Sequence, residues 1–164
     1  MLIRNVEIRD VEAFWEMQSA LDNETKFMMY EPGEREKDIV AVENVIARAA
    51  SGDDLLLIAE ESNEIAGYIY AQRGTLRRIR HSAYIVVGIR EAYQHKGIGT
   101  EFFAQLISWA EQSGIVRLEL TVMSPNVNAR HLYEKFGFVI EGTKRLSMLV
   151  DGNYVDEFYM AKII

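Results

Sequence analysis

The segment Ala83–Ile89 is almost wholly apolar, and it leads into a loop with two glycines and then into a helical pattern. An apolar run of this length is typical of a strand that is buried on both faces. Over residues 97–113 the apolar side chains, among them Ile98, Phe102 and Leu106, recur at helical spacing and form one stripe. A buried strand followed by an amphipathic helix indicates an α/β fold with 83–89 as a central strand.

Regular patterns on either side of this unit predict the other strands and helices. The segment 116–123 alternates with the period of a strand, and Asp151-Gly152-Asn153 is a strong hairpin signal. The expected elements are a strand at 2–8, helices at 11–21 and 39–49, a hairpin of strands 55–59 and 65–71, the strand 83–89, the helix 97–113, a strand at 116–123, a helix at about 126–136, and strands at 138–150 and 154–163. This order predicts a mixed rather than an all-parallel sheet.

Length and composition indicate one domain without disulfides or a membrane span. The chain has 164 residues, 49% of them apolar, which is enough for a single core, so we expect one domain over residues 1–164. The absence of cysteine excludes disulfides and cysteine nucleophiles and suits a reducing compartment. No apolar run approaches the roughly 18 residues of a membrane helix, so we expect a cytoplasmic protein that does not contact a membrane.

The net charge favours some classes of partner over others. Eighteen Lys and Arg residues stand against 25 Asp and Glu residues, a formal charge of −7. This charge repels polyanions, so we expect no nucleic-acid partner. A cationic or amine substrate fits better, although acidity for the sake of solubility explains the same composition.

The loop between the central strand and the next helix has the features of an anion-binding site. It contains Gln94-x-x-Gly97-x-Gly99, with His95 and Lys96 as possible positive charges. Glycines allow the backbone to approach a ligand, and the first N–H groups of a helix point at phosphate oxygens. A third glycine, which a dinucleotide fingerprint requires, is absent because Phe102 stands there, and the nucleotide-triphosphate loop motif is also absent.

A second motif makes the pattern specific. It is Asn126-x-x-Ala129-x-x-Leu132-Tyr133-x-x-x-Gly137-Phe138, on the helix after the next strand. Together, the two motifs at their spacing resemble the coenzyme A-binding core of the GNAT acetyltransferases. The resemblance is strongest over residues 82–145, and features near the C-terminus are similar to bacterial members that act on amino acids, polyamines or protein N-termini.

This resemblance implies a fold, a donor and a set of binding residues. The fold is a mixed, mostly antiparallel sheet flanked by about four helices, the donor is acetyl-CoA, and no metal is implied. The backbone at the end of the central strand is expected to align pantetheine, and the glycine loop to hold the pyrophosphate. The implied binding residues are Val87, Gly88, Ile89, Gln94, His95, Lys96, Gly97, Ile98, Gly99, Thr100, Asn126 and Tyr133.

Asn126 and Tyr133 also have structural explanations. The resemblance implies that Asn126 bonds pantetheine or neighbouring backbone and that Tyr133 faces the thioester sulfur. Asparagine is equally a good helix N-cap, and a tyrosine at such a position can be a core aromatic.

The catalytic hypothesis is direct attack by an amine in a ternary complex. The chain has neither cysteine nor a Gly-x-Ser-x-Gly elbow, so a covalent acyl-enzyme lacks an obvious nucleophile. The backbone N–H of Ile89 is the candidate for stabilising the oxyanion, and Tyr133 is the candidate acid for the departing thiolate. An alkyl amine of pKa about 10.4 costs about 4.6 kcal/mol to deprotonate at pH 7, whereas an α-amine near pKa 8 costs about 1.4 kcal/mol.

The general base is not identified by the resemblance. The positions where family members often carry a glutamate hold Ala83 and Thr121 here. Glu119 projects to the same side of its strand as Thr121, and His81 has that relation to Ala83, so either could act through water. A cross-strand pair would explain Glu119 equally well, and an α-amine could react without a base.

The sequence leaves open the roles of two charged clusters and one other functional class. The acidic residues between the first two helices could attract a cationic amine or form a solvated face; they are Glu24, Glu31, Glu34, Glu36 and Asp38. Arg77, Arg78 and Arg80 could reach phosphates or form a solvated loop. A non-catalytic acyl-CoA sensor is the alternative to the enzyme. The acceptor, the acyl length and a homodimer are all left open by the sequence.

Overall fold

A computed structural model of the chain describes residues 1–164. Seven strands and four α-helices follow one another in the predicted order. Their bounds are β1 Leu2–Asn5, α1 Val11–Glu24, α2 Ile39–Ala50, β2 Leu55–Glu61, β3 Glu64–Arg73, β4 Ser82–Ile89, α3 Ile98–Ser113, β5 Arg117–Met123, α4 Val127–Lys135, β6 Val139–Val150 and β7 Asn153–Ile163. Short 3-10 turns occupy residues 8–10, 77–79 and 91–93.

The strands form one sheet in the order β1-β2-β3-β4-β5-β7-β6. Pairing is antiparallel between β1 and β2, β2 and β3, β5 and β7, and β6 and β7. β4 and β5 pair in parallel, with Ser82 opposite Arg117 and Tyr84 opposite Glu119. The predicted class, a mixed and mostly antiparallel sheet with four helices, is confirmed.

The chain divides into two compact units, the first of residues 1–72 and 86–106 and the second of residues 73–85 and 107–164. β4 and α3 each pass from one unit to the other along the chain. No helix has both the length and the apolar character that crossing a membrane requires.

The core of the first unit is formed by one face of α1 and α2 against β2 and β3. Phe14 and Leu21 of α1 and Ile46 of α2 belong to the same buried cluster as Ile58 and Tyr68. The Phe14 and Tyr68 rings meet edge to face with their centroids 5.2 Å apart. The spacing of the apolar positions in both helices, which predicted one buried face, therefore leads to this packing.

In the second unit, alternation along β5 buries Leu118, Leu120 and Val122. The helices on either side end at residues with left-handed backbone, Gly114 with φ 68° and Gly137 with φ 85°. Glycine has no steric penalty in that conformation, which explains why both predicted helix ends are correct.

The first strand is shorter than predicted: β1 ends at Asn5, and the prediction extended it to residue 8. The backbone N–H of Glu7 donates to a carboxylate oxygen of Asp10 at 2.7 Å, and both Asp10 oxygens also accept from Arg4. These bonds turn residues 8–10 into a 3-10 turn, and such side-chain bonds to local backbone compete with strand formation.

Candidate active site

The bend between β4 and α3 presents main-chain donors at the start of a 16-residue helix. His95 and Gly97 have left-handed backbone, with φ 60° and 85°, and a Cβ at Gly97 would meet no atom within 4 Å. The Glu101 N–H donates to the Gly97 carbonyl at 3.1 Å, so Gly97 is the N-cap. The N–H groups of residues 98–100 therefore have no acceptor within the helix. Gln94 is exposed, as are the next three residues.

Side chains tie this bend to other segments of the first unit. Gln94 Nε2 donates to the Ile89 carbonyl at 3.2 Å, so the predicted pyrophosphate loop and the end of β4 are in contact. Lys96 forms an ion pair with Glu61 at 3.1 Å and lies 4.9 Å from the Tyr93 ring centroid. The charge that Lys96 was predicted to offer to a phosphate is thus shared with a carboxylate.

Glu24 has a structural partner that its sequence position does not reveal. Its carboxylate accepts from Arg90 Nε at 3.0 Å and from the Glu91 backbone N–H at 2.9 Å. Glu24 therefore joins the end of α1 to the start of the bend instead of standing free to attract an amine. No local pattern could have indicated this contact, because 66 residues separate Glu24 from Arg90.

The end of β4 lies unusually close to β3. A Cβ at Gly67 would come 2.5 Å from the Gly88 carbonyl oxygen and 3.0 Å from Ile89 Cα, so no larger residue fits at position 67 without displacing backbone. The Arg90 N–H donates to the Ala66 carbonyl at 2.9 Å. These contacts fix the backbone of residues 87–89, the segment predicted to align pantetheine.

In the second unit, α4 carries the other two predicted binding residues. The Asn126 side-chain oxygen accepts from the Ala129 N–H at 3.4 Å, so Asn126 caps this helix. Tyr133 is buried, and its ring centroid lies 6.2 Å from that of Phe138. Burial raises the pKa of Tyr133 well above its usual range, and the nearby Tyr84 phenol raises it further. The phenol is therefore protonated across the physiological pH range.

The candidate base Glu119 is part of an ion-pair network. Glu119 Oε2 accepts from Arg117 Nε at 2.6 Å, and the same guanidinium binds Glu141 through two bonds of 3.0 and 2.6 Å. Thr121 Oγ1 lies 2.8 Å from the Tyr84 hydroxyl. Glu119 is therefore paired along its own strand, through Arg117, and not with a residue on a neighbouring strand.

The remaining acidic and basic candidates lie on exposed segments. Glu34 accepts from the Glu31 backbone N–H at 2.9 Å, and Asp38 caps α2 by accepting from the Ala41 N–H at 3.0 Å. The arginines at 77, 78 and 80 and the side chain of His81 are exposed. No group of three or more His, Cys, Asp or Glu side chains is arranged to hold a metal ion.

Comparisons with known proteins agree on one family. A family model described as the acetyltransferase (GNAT) family matches residues 14–138. The L-amino acid N-acetyltransferase AaaT of Escherichia coli (strain K12) is 29% identical over 108 residues, which are 65% of this chain and 67% of AaaT. An acetyltransferase of the GNAT family from Streptococcus pneumoniae is 31% identical, with a TM-score of 0.94 and 99% of each chain covered.

The fold extends to more distant structures. The protein yncA from Salmonella typhimurium, solved with its cofactor acetyl-CoA, has a TM-score of 0.87 at 20% identity, covering 99% of this chain and 93% of that one. At this identity the similarity shows the fold alone. The family match over most of the chain, together with the S. pneumoniae relative, shows that this protein belongs to the GNAT acetyltransferase family.

Proposed function

We propose that the protein is an N-acetyltransferase that moves the acetyl group of acetyl-CoA to a primary amine. The observation that carries this proposal is the bend before α3, where Gly97 caps the helix and the N–H groups of residues 98–100 lack helical acceptors. Several such donors at the positive end of a helix fit a diphosphate. The similarity to AaaT, an L-amino acid N-acetyltransferase, supports an amine acceptor.

The donor's remaining contacts are assigned by the same proposal. Bound acetyl-CoA supplies an acetyl thioester, which is activated toward attack by an amine. The backbone of Val87, Gly88 and Ile89 aligns the pantetheine arm, and the Ile89 N–H donates to the acetyl oxygen. Asn126 combines its capping bond with a contact to pantetheine, because an amide side chain has both acceptor and donor groups.

Tyr133 is the proposed acid. Because burial raises the pKa of Tyr133, the phenol is protonated at neutral pH, so it can donate a hydrogen bond to the departing sulfur and pass its proton to it as the C–S bond breaks. A tyrosine that only packs in the core would be equally buried, so a kinetic measurement tests the role of Tyr133 as acid.

Deprotonation of the acceptor needs little help if the acceptor is an α-amine. Its cost of about 1.4 kcal/mol at pH 7 is small beside the about 4.6 kcal/mol of an alkyl amine. Glu119, the other candidate base, already holds Arg117 through one carboxylate oxygen at 2.6 Å. We therefore propose reaction of a neutral α-amine, with water as the proton acceptor.

The wider setting of the proposal follows the sequence-based expectations. Residues 1–164 act as one acetyltransferase domain in the cytoplasm, with acetyl-CoA and an amine acceptor as partners. Nucleic acid and membranes are not partners, and a homodimer is compatible with the proposal.

Acetyl transfer is testable by thiol release. Because the chain contains no cysteine, a thiol reagent reports coenzyme A without background from the protein. A panel of amino acids, peptides and alkyl amines with acetyl-CoA should give steady thiol release and a mass increase of one acetyl group on at least one amine. Tight acetyl-CoA binding without turnover on any amine would reject the enzyme and favour the acyl-CoA sensor.

A further inference from the structure

Glu157 on β7 is a buried carboxylate that the proposed function does not use. Its side chain is 9% exposed. Burying a carboxylate is costly unless hydrogen bonds or a ligand hold it, so its partners need to be identified. The Ser147 hydroxyl donates to Glu157 Oε1 at 2.9 Å. Lys144 Nζ lies 3.8 Å from the same oxygen, which is beyond the length of a hydrogen bond.

The other carboxylate oxygen, Glu157 Oε2, accepts no hydrogen bond from the chain, because both contacts involve Oε1. Oε2 is nevertheless not sealed inside the protein. The one side-chain polar atom that is both sealed from solvent and without a partner is Arg130 Nε. Oε2 therefore remains open to a water molecule that enters from outside.

The backbone of β6 is distorted where it contacts Glu157. The pairing of β6 with β7 shifts within residues 144–148, which form a β-bulge. Inside the bulge Leu146 has left-handed backbone, with φ 49°, and its N–H donates to Asp156 Oδ1 at 2.7 Å. This conformation is rare for a bulky residue, and bulges recur next to active sites, where they redirect a side chain. Here the bulge directs the Ser147 hydroxyl to Glu157.

The register of β5 and β7 relates Glu157 to a residue that the proposed function assigns to pantetheine, Asn126. Glu157 pairs with Met123, and the Met123 carbonyl accepts from the Asn126 N–H at 2.9 Å. Directly paired residues of two antiparallel strands point to the same face of the sheet. Glu157 and Met123 therefore share the face of the sheet next to the turn that leads into α4.

The same face leads to the proposed acid. Tyr159 follows Glu157 by two residues and pairs with Thr121. Thr121 Oγ1 lies 2.8 Å from the hydroxyl of Tyr84, the phenol that adds to the raised pKa of Tyr133. Diagonal neighbours on paired strands are about 7–8 Å apart, so the side chains of Glu157 and Thr121 are near neighbours.

We propose that Glu157 is the final acceptor of the proton that the amine loses: Oε2 holds the water molecule that takes this proton and then receives it. The inference rests on the proposed function, in which water is the first proton acceptor. As the nitrogen bonds the acetyl carbon, a proton leaves the nitrogen through that water to Glu157. As the carbon–sulfur bond breaks, Tyr133 gives its proton to the sulfur. The proton on Glu157 then returns through solvent to the Tyr133 oxygen, so the protein gains and loses none.

Steady-state kinetics with acetyl-CoA and an amine that the wild type acetylates test this role. Glu157→Gln keeps an oxygen for the Ser147 hydroxyl but removes the basic carboxylate. General-base catalysis contributes about 10²–10⁴-fold, so kcat should fall about 100-fold or more, with little change in the KM of either substrate. The control is Glu111→Gln, which replaces an exposed carboxylate of α3 and should leave kcat as in the wild type.

Chemical rescue distinguishes a base from a carboxylate that only stabilises the fold. Glu157→Ala should be as slow as Glu157→Gln. Formate should restore part of its kcat in proportion to the formate concentration, because a small carboxylate can receive the proton in place of the side chain. Formate should not accelerate the wild type. Ser147→Ala, which keeps the carboxylate but removes the hydrogen bond to Oε1, should lower kcat several-fold with the KM of acetyl-CoA unchanged.

Several results would overturn the inference while the acetyltransferase function stands. These are a wild-type kcat in Glu157→Gln, a rise in the KM of the acceptor alone, or no rescue by formate of a Glu157→Ala variant that thermal unfolding shows to be folded. If neither Glu157 variant folds, a wild-type kcat in Ser147→Ala overturns the inference. Absence of transfer to every amine by the wild type rejects the proposed function, and the inference falls with it.

Discussion

Arg35 of the α1–α2 loop, residues 25–38, donates to both carboxylate oxygens of Asp22, and removal of the Arg35 side chain tests whether this pair holds the loop. In Arg35→Met the Asp22 carboxylate, which is 1% exposed, keeps its burial but loses both hydrogen bonds. Breaking one side of a buried pair costs about 3–5 kcal/mol. Because the Arg35 side chain is 16% exposed, we expect a value near the lower end, about 3 kcal/mol.

Thermal and urea unfolding at pH 7 measure this cost. For a chain of this length about 1 kcal/mol lowers Tm by about 2–4 °C, so Arg35→Met should lose about 6–12 °C. The matched control is Lys37→Met in the same loop, whose ion pair with Glu12 joins side chains that are 48% and 62% exposed. Exposed pairs contribute about 0–1 kcal/mol, so this variant should lose little.

A double variant separates the unpaired charge from lost packing. Asp22→Leu with Arg35→Met removes both charges and should recover much of the stability, because an apolar replacement of a buried pair is often neutral. If Arg35→Met is no less stable than Lys37→Met, or the double variant is as unstable as Arg35→Met alone, the reasoning about an uncompensated buried carboxylate is refuted.

Three further predictions concern Tyr133, Asp10 and Gly67. Tyr133→Phe should lower kcat by about 100-fold or more, while the Kd of acetyl-CoA changes little. Because the pKa of Tyr133 is raised, the wild-type kcat should show no loss from Tyr133 deprotonation up to about pH 10. An unaffected kcat in the variant would remove the acid role. Arg4 lowers the pKa of Asp10 in the folded state. The ionised Asp10 therefore stabilises the folded protein above the unfolded pKa of about 3.9, and this stabilisation is lost as pH falls through the lower folded pKa. In urea unfolding, the free energy of unfolding of Asp10→Asn should depend less on pH below about pH 4 than that of the wild type, and an equal dependence would contradict this. Gly67→Ala should lower Tm by several degrees, because the new Cβ would lie 2.5 Å from the Gly88 carbonyl oxygen and β3 would have to shift. Such overpacking costs about 1–3 kcal/mol. A Tm equal to that of the wild type would show that the two strands can move apart without cost.

Local patterns predicted the elements of this fold well, because their causes are local. Gly114 and Gly137 end helices in the left-handed conformation that glycine adopts at no steric cost. The hairpin at Asp151-Gly152 has positive φ at both residues, 51° and 77°, as the turn signal requires. The length of β1 was wrong because Arg4 binds Asp10, a side-chain contact that apolar alternation does not encode.

Contacts between distant segments could not be predicted in this way. β7 lies between β5 and β6 in the sheet. The alternation of apolar and polar residues within a strand predicts which face is buried, but it does not specify which strand is the neighbour. The partner of Glu119 could have been predicted from the sequence, because the period of a strand places Arg117, two residues earlier, on the same side. The pairing of Asp22 with Arg35 was not, because an irregular loop has no period.

A crystal structure with acetyl-CoA tests most directly whether main-chain donors at the start of α3 hold the diphosphate. We expect phosphate oxygens at about 2.7–3.2 Å from backbone nitrogens within residues 97–100, with the thioester sulfur beside the Tyr133 hydroxyl. A diphosphate bound away from this bend, or a thioester out of reach of Tyr133, would contradict the account.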